Sequence, residues 1–236
     1  MWSLLGVTEI SLTKAAVADR AEDLLSEYQR IIETIPPEAG FGGIWESEML
    51  LFFAAVNPFA PTQILESGRA RGKSTLILAR CFPESRIVSV EYDRQSENAP
   101  VAEAKLKNEH NVDLLYGDSR KMLPQRLQNG DAVLIDGPKD LRALKFAVDL
   151  LRTGKPCAVF VHDFPQGSAQ RKFVERNFPN AFFGDDPVFE RFRNLDAERD
   201  PRPNAHRRYG IFACLPPPLP MAHWKLRFRL LTLVSQ

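Results

Sequence analysis

The sequence has few of the features that would assign a protein to a specialised class. Lysine and arginine number 31 against 30 aspartate and glutamate residues, so no net field favours nucleic acid or an anionic membrane. The three cysteines are far apart in apolar surroundings, which argues against a disulfide framework or a zinc site. No apolar run approaches the roughly 20 residues that span a bilayer, and the N-terminus lacks the basic region of a signal peptide. We therefore expect a cytoplasmic protein with no nucleic-acid or membrane partner.

What the sequence does contain, from about residue 62 onwards, is an alternation of apolar strands and amphipathic helices. The runs at 133–135 and 158–161 are wholly apolar, which is typical of parallel strands that helices cover on both faces. We predict an α/β fold with a Rossmann-like, doubly wound and mostly parallel sheet of seven strands. The predicted strands are 63–66, 86–91, 112–116, 132–136, 158–162, 181–183 and 209–214.

Two predicted helices precede the sheet. Residues 9–35 carry one apolar stripe at helical spacing, and a second helix covers 46–56. The first helix can pack on the domain or pair with a second copy, which leaves a homodimer open. A polar insertion over about 185–208 is either a surface loop or a substrate lid. We divide the chain into a helical cap (1–60), a sheet domain (61–215) and a proline-rich exit with a C-terminal tail (216–236).

The most informative stretch follows the first predicted strand and reads ESGRARGKS over residues 66–74. A buried strand that leads through a glycine turn into a helix N-terminus is a unit that cradles ligands. Ala70 stands where a dinucleotide turn needs its second glycine. Gly72-Lys73-Ser74 matches the end of a phosphate loop, but Ser67 stands where that loop needs its first glycine.

A third pattern, E-x-G-x-x-x-G-x-S, fits Glu66, Gly68, Gly72 and Ser74 without a gap. Gly68 can adopt a positive φ, and Gly72 lets backbone N–H groups approach a ligand. This stretch resembles the first motif of class I S-adenosylmethionine-dependent methyltransferases, particularly the catechol-type O-methyltransferases. The resemblance covers about residues 45–164. It implies S-adenosyl-L-methionine as cofactor, methyl transfer to the oxygen of a small-molecule substrate, and an antiparallel pair of strands that ends the sheet.

Acidic side chains stand at the carboxyl ends of all the predicted parallel strands, where ligands of such sheets bind. These residues are Glu66, Glu91, Asp118, Asp136 and Asp163. Like charges that converge on one crevice repel each other unless a ligand or ion uses them. An acidic rim suits a cationic sulphonium cofactor and suits a nucleoside triphosphate badly.

Individual roles follow from position along the sheet. A carboxylate at the second strand end can accept hydrogen bonds from both ribose hydroxyls, which assigns the ribose to Glu91. Asp118 and Ser119 follow the third strand, where a side-chain oxygen can accept from the adenine amino group. Glu66 is expected to hold the glycine turn or to reach the methionine amino group.

The family resemblance extends beyond the cofactor side. Catechol-type enzymes carry D-x-x-K after the fourth strand, and Asp136-Gly137-Pro138-Lys139 match it. In that family the aspartate binds a divalent metal such as Mg²⁺ and the lysine is the general base, which implies these roles for Asp136 and Lys139. After the fifth strand the family has D-N as metal ligands. Here Asp163 matches, which gives Asp136 and Asp163 as the expected metal ligands, but Phe164 has no ligand atom.

His162 is a competing base beside Asp163. Strand alternation directs it to the opposite face, but at a strand end it can swing inward. Two alternatives to a methyltransferase remain. One is a nucleoside triphosphatase that uses Gly72-Lys73-Ser74 and Asp136. The other is a non-catalytic scaffold or dimerisation module that keeps the fold.

Overall fold

The structure is a computed structural model that describes residues 10, 12–36, 43–197 and 212–217. Its strands are β1 (Gln63–Ser67), β2 (Arg86–Glu91), β3 (Val112–Tyr116), β4 (Ala132–Ile135), β5 (Ala158–Val161), β6 (Phe182–Phe183) and β7 (Ala213–Leu215). Its α-helices are α1 (Lys14–Glu33), α2 (Glu46–Val56), α3 (Lys73–Cys81), α4 (Asn98–Leu106), α5 (Ser119–Arg126), α6 (Asp140–Leu151), α7 (Ala169–Asn177) and α8 (Asn194–Ala197). Short 3-10 helices occupy Asn57–Phe59 and Pro187–Phe192.

The strands form one seven-stranded sheet in the order β3-β2-β1-β4-β5-β7-β6. The pairs among β1 to β5 are parallel, and β7 runs antiparallel to both β5 and β6. This confirms the predicted fold class and the antiparallel ending. The chain order reverses between β1 and β4, so the crevice outside their carboxyl ends is the place where ligands bind in such sheets.

Successive strand residues alternate between two apolar cores on opposite faces of the sheet. Helices α1 to α4 cover one face, with Phe52 and Leu106 among the buried contacts. Helices α5 to α7 cover the other face, where Leu144 and Val174 are buried. None of the helices in the described ranges is long and apolar enough to cross a membrane.

Helix α1 begins later than the predicted 9–35 because Thr13 caps its first turn, its hydroxyl oxygen accepting the N–H of Ala16. Its apolar stripe is buried within the chain, and Tyr28 donates a hydrogen bond of 2.8 Å to the carbonyl of Glu46. Helix α2 has the predicted limits and is buried along its whole length. It therefore connects the outer helix with the sheet.

Part of the predicted insertion is packed rather than loop-like. Residues 187–197 form the second 3-10 helix and α8, and the side chains of Phe189 and Phe192 are buried. These two aromatic residues supply apolar anchors in a stretch whose composition is otherwise polar. Residues 198–208, the start of the predicted seventh strand at 209–211 and most of the predicted tail, 218–236, lie outside the described residues.

Candidate active site

The glycine turn brings the end of β1 against the turn that follows β4. Gly68 has a φ of +83°, and a Cβ added there would lie 2.9 Å from the backbone nitrogen of Gly137. The N–H groups of Asp136 and Gly137 both donate to the carbonyl of Ser67, at 2.7 and 3.0 Å. Glycine is therefore required at position 68, because two backbone segments meet there.

Gly72 has a packing role that the sequence did not predict. Its φ is +79°, and a Cβ added there would lie 3.0 Å from Leu106 Cδ1 and 3.2 Å from Ala102 Cβ. Both neighbours belong to α4, so this glycine permits close packing of the turn on α4. The sequence motif alone does not separate that packing role from approach to a ligand.

Glu66 holds the turn from inside the protein. Its carboxylate is fully buried and accepts hydrogen bonds from the hydroxyls of Ser74 (2.6 Å), Thr75 (2.5 Å) and Ser89 (2.6 Å). Burial raises the pKa of Glu66 above its ordinary value, although the three hydroxyls oppose the shift. Of its two predicted roles, the geometry favours fixing the turn on α3 over contact with the cofactor.

Glu91 stands at the mouth of the turn, where backbone groups hold it. One carboxylate oxygen accepts the N–H groups of Arg69 (3.1 Å) and Ala70 (2.9 Å), and the other accepts the N–H of Tyr92 (2.8 Å). These contacts fix the carboxylate without neutralising it. Each oxygen can accept more than one hydrogen bond, so the group remains able to receive ligand hydroxyls.

Asp118 and Ser119 begin α5 at the same edge. Asp118 caps the helix by accepting the N–H of Arg120 at 3.1 Å, and its carboxylate also pairs with the Arg120 guanidinium at 2.9 Å. The hydrogen bond from Arg120 lowers the pKa of Asp118. Ser119 is linked to the glycine turn, because Ser67 Oγ lies 2.7 Å from its hydroxyl. Sequence analysis gave Ser67 no role.

A second group of side chains gathers beyond β4 and β5. Lys139 Nζ lies 2.5 Å from Asp136 Oδ1 and 2.5 Å from Asp163 Oδ2, so one ammonium group bridges the two carboxylates. Burial lowers the pKa of Lys139, but the two carboxylates outweigh this and raise it above its ordinary value. The structure therefore brings the predicted D-x-x-K pair and Asp163 together.

His162 turns toward this group and not toward the opposite face that alternation suggests. Its Nδ1 lies 2.9 Å from Asp136 Oδ1 and 3.4 Å from Asp163 Oδ1, and its Nε2 lies 3.2 Å from Glu48 Oε2. Burial lowers the pKa of His162, but Glu48 and Asp136 together raise it to about 10. Strand β5 ends at Val161, and Asp163, the residue after His162, has a φ of +65°. The alternation of β5 therefore no longer applies to His162.

Glu48 is the residue of this site that sequence analysis missed. Its other carboxylate oxygen accepts the N–H of Phe212 at 2.8 Å, just before β7. Its neighbour Ser47 holds α8 instead. Ser47 donates to Asp196 of α8 through its N–H (3.0 Å) and its hydroxyl (2.6 Å). The available signal was the polar triplet 46–48 at the start of an otherwise apolar helix.

Lys73 does not sit as a phosphate-loop lysine would. Its Nζ lies 2.7 Å from Glu46 Oε1, and the Glu46 side chain is only 2% exposed. A phosphate-loop lysine must reach the phosphates of the nucleotide. The structure directs this one to a buried carboxylate of α2, which argues against the nucleoside triphosphatase alternative.

The cluster beyond β4 and β5 can hold a metal ion. Asp136, His162 and Asp163 each offer a ligand atom, and these atoms lie within 4.8 Å of one another. The Lys139 ammonium already stands between the two carboxylates as a cation would. Phe164 is fully buried in the apolar core and contributes no donor. The predicted pair of carboxylates is therefore accompanied by an imidazole.

Comparisons with known proteins agree with this geometry. Residues 65–164 match the family model of a methyltransferase domain. The "Transmembrane O-methyltransferase homolog" of Mus musculus and that of Rattus norvegicus are each 37% identical over 86 residues, 32% of this chain and 33% of the relative. The chain thus spans about a third of the length of the curated relatives it matches.

A solved structure described as a "putative O-methyltransferase from Klebsiella pneumoniae" covers 86% of this chain and 90% of its own, with a TM-score of 0.52 and 18% identity. At that identity the likeness establishes the shared fold. Residues 65–164 therefore resemble a methyltransferase domain, and the chain shares the fold of the Klebsiella pneumoniae structure.

Proposed function

We propose that this protein transfers a methyl group from S-adenosylmethionine to a hydroxyl oxygen of a small molecule. The observation that carries the proposal is the direct contact between two turns, one from each side of the crevice. Asp136 and Gly137 donate their N–H groups to Ser67, so the glycine turn and the Asp136 turn are held together. A methyl donor held by the first turn would face an acceptor held by the second.

The cofactor side is assigned to Glu91, Asp118 and Ser119. Glu91 has its oxygens oriented by backbone N–H groups and would accept the ribose hydroxyls. Asp118 and Ser119 would face the adenine ring from the start of α5. Glu66 acts from within, since its contacts with Ser74 and Thr75 fix the turn on α3.

Proton transfer is assigned to Lys139. An acceptor hydroxyl is a poor nucleophile until it loses its proton, and the positively charged sulphur then takes the electron pair of the broken C–S bond. The Lys139 side chain is 46% exposed and can reach an acceptor, whereas His162 is 7% exposed with both ring nitrogens against carboxylates. Lys139 can accept a proton only as a neutral amine, so Asp136 and Asp163 must engage another cation or the acceptor. A bound divalent ion would supply positive charge to stabilise the acceptor oxyanion.

The test of cofactor binding is calorimetry with S-adenosylhomocysteine, the product form of the cofactor. Losing a hydrogen bond to a charged group costs about 1.5–3 kcal/mol, so Glu91→Ala should weaken binding about 10- to 100-fold. The matched control is Asp93→Ala, an exposed carboxylate two residues further on. Equal affinity in wild type and Glu91→Ala, with both folded by circular dichroism, would contradict the assignment.

We also propose a reducing, cytoplasmic setting. Cys81, Cys157 and Cys214 are buried and free, and burial raises the pKa of Cys157 to about 12. Buried thiols of this kind act as small apolar residues and stay reduced. Titration of the folded protein with a thiol reagent should therefore label these residues only after denaturation.

A further inference from the structure

We propose that the cluster beyond β4 and β5 binds a first-row transition-metal ion such as Co²⁺ or Zn²⁺ in preference to Mg²⁺. His162 Nδ1 would be the third protein ligand, beside Asp136 and Asp163. The inference rests on the proposed function and adds to it a ligand and a metal class. It starts from a difference between this chain and the catechol-type enzymes, because Phe164 stands where those enzymes have a ligand asparagine.

The distances suit one ion. Metal–ligand bonds of about 2.1 Å at right angles place neighbouring ligand atoms about 3 Å apart. His162 Nδ1 lies 2.9 Å from Asp136 Oδ1 and 3.4 Å from Asp163 Oδ1. An ion placed among these atoms needs little movement of the protein, and its binding releases the proton of His162 Nδ1 to solvent. Lys139 would leave, and its half-exposed side chain is free to swing toward solvent.

Glu48 supplies the support that a metal-binding histidine needs. Histidine ligands of metals usually bind a carboxylate or carbonyl through their second nitrogen, which fixes the ring. Glu48 Oε2 lies 3.2 Å from His162 Nε2, and its other oxygen is anchored by the N–H of Phe212 at 2.8 Å. This arrangement leaves Nδ1 directed at the two aspartates.

The donor set determines the class of metal. Oxygen ligands suit Mg²⁺, whereas imidazole suits zinc, iron, nickel and copper. In this chain the amide oxygen of the family asparagine is absent, because Phe164 is buried in the apolar core. A nitrogen donor from His162 replaces it on the other side of Asp163. The change from three oxygens to two oxygens and one nitrogen should therefore shift selectivity away from Mg²⁺.

The first experiment is calorimetric titration of the full chain with Co²⁺, Zn²⁺ or Mg²⁺, without cofactor or acceptor. We expect one Co²⁺ or Zn²⁺ site at least about 10-fold tighter than the Mg²⁺ site. Co²⁺ should also give a visible absorption band that reports nitrogen ligation. Equal affinity for Co²⁺ and Mg²⁺, or no Co²⁺ binding, would overturn the proposal.

Variants locate the site. His162→Asn should weaken Co²⁺ binding about 10-fold or more and remove the preference over Mg²⁺, because it exchanges the nitrogen donor for an amide oxygen. Glu48→Gln should weaken Co²⁺ binding about 10- to 100-fold. The control is His110→Asn, at an exposed histidine, which should change nothing. Unaltered Co²⁺ affinity in His162→Asn would also overturn the proposal.

A second variant and a second measurement separate the possible outcomes. Asp163 is partly exposed, so the Asp163→Asn variant should fold and lose Co²⁺ binding even if His162→Asn does not fold. S-adenosylhomocysteine binding is measured on the same samples. Cofactor binding without a Co²⁺ site would overturn the metal inference and leave the methyltransferase intact. A Co²⁺ site without cofactor binding would support the metal inference and count against the methyltransferase.

Discussion

The carboxylates at the edge of the sheet fall into two groups that are held by different partners. At the ends of β1 and β2, Glu66 and Glu91 accept hydrogen bonds from hydroxyls and backbone N–H groups. Beyond β4 and β5, Asp136 and Asp163 face the cation of Lys139. The first group forms the cofactor side of the proposed site and the second forms the acceptor side.

The difference appears in the pKa values of the most buried members. Burial raises the pKa of Glu66, and the hydroxyls that contact it do not reverse the shift. Burial also acts to raise the pKa of Asp136, but His162 and Lys139 lower it below its ordinary value. Neutral donors thus fix the geometry of a carboxylate, while cations also fix its charge. The cation that holds the second group is the half-exposed Lys139, and a proton acceptor must be able to move and change charge.

The largest expected effect comes from breaking the acceptor side. Lys139→Met removes the proposed base, so the rate of methyl transfer should fall about 10²- to 10⁴-fold. Affinity for S-adenosylhomocysteine should stay within about two-fold, because Lys139 is not on the cofactor side. A coupled assay of S-adenosylhomocysteine release and calorimetry measure the two quantities.

Lys145→Met is the matched control for this prediction. Lys145 lies on α6 and pairs with Asp149, at 2.6 Å, away from the proposed acceptor side, so its loss should leave the rate unchanged. A Lys139→Met protein with the wild-type rate would remove Lys139 from proton transfer. Loss of cofactor binding in that variant would show instead that the two sides are not separate.

The second prediction concerns Asp196, a carboxylate that neutral donors hold outside both groups. Burial raises its pKa to about 7 despite the two hydrogen bonds from Ser47. The folded state therefore retains a proton that the unfolded state releases near pH 4. Stability should fall as pH rises from about 4 to 7, by at most about 4 kcal/mol at about 1.4 kcal/mol per pKa unit.

Urea denaturation of wild type and Asp196→Asn across this pH range measures the effect. The difference in free energy of unfolding between the two proteins isolates Asp196 from the other titrating groups. As pH rises from about 4 to 7, wild type should lose stability relative to Asp196→Asn. Asp149→Asn, at an exposed carboxylate, should show no such pH-dependent difference. A constant difference between wild type and Asp196→Asn would mean that burial does not raise the pKa of Asp196.

Much of the cofactor side could be predicted from sequence because its determinants are local. The strand runs are short and apolar, and the limits of β2 and β3 are as predicted. The residues of the glycine turn lie within a few positions of each other along the chain, as do Asp136 and Lys139 on the acceptor side. Their proximity follows from the turn itself and does not depend on how distant elements pack.

The acceptor side was predicted less completely because its contacts are long-range. Glu48 and Phe212 are separated by 164 positions in the chain. No local pattern specifies that α2 directs this carboxylate at the end of β5. The packing of 187–197 was missed for the same reason, since Phe189 and Phe192 join the apolar core that contains α1 and α2 only in the folded chain. At Gly72 the local motif matched, but it did not reveal that this residue packs against α4.

The smallest effect should come from testing the contact that joins the two sides. Gly68→Ala places a Cβ 2.9 Å from the nitrogen of Gly137 and 3.0 Å from the carbonyl carbon of Asp136, at a φ of +83°. Backbone atoms cannot move aside as a flexible side chain would, so the variant should lose about 2–3 kcal/mol of stability. It should also bind S-adenosylhomocysteine more weakly, because the glycine turn would shift.

Gly130→Ala is the control that separates steric contact from backbone conformation. Gly130 has a φ of +86°, but a Cβ there meets nothing within 4 Å. Its loss of stability should be the conformational cost alone, about 1 kcal/mol, with unchanged cofactor affinity. Urea denaturation and calorimetry measure both variants. Equal losses would mean that the Gly68–Gly137 approach is loose, and the two sides of the site would then be joined mainly by the hydrogen bonds to Ser67.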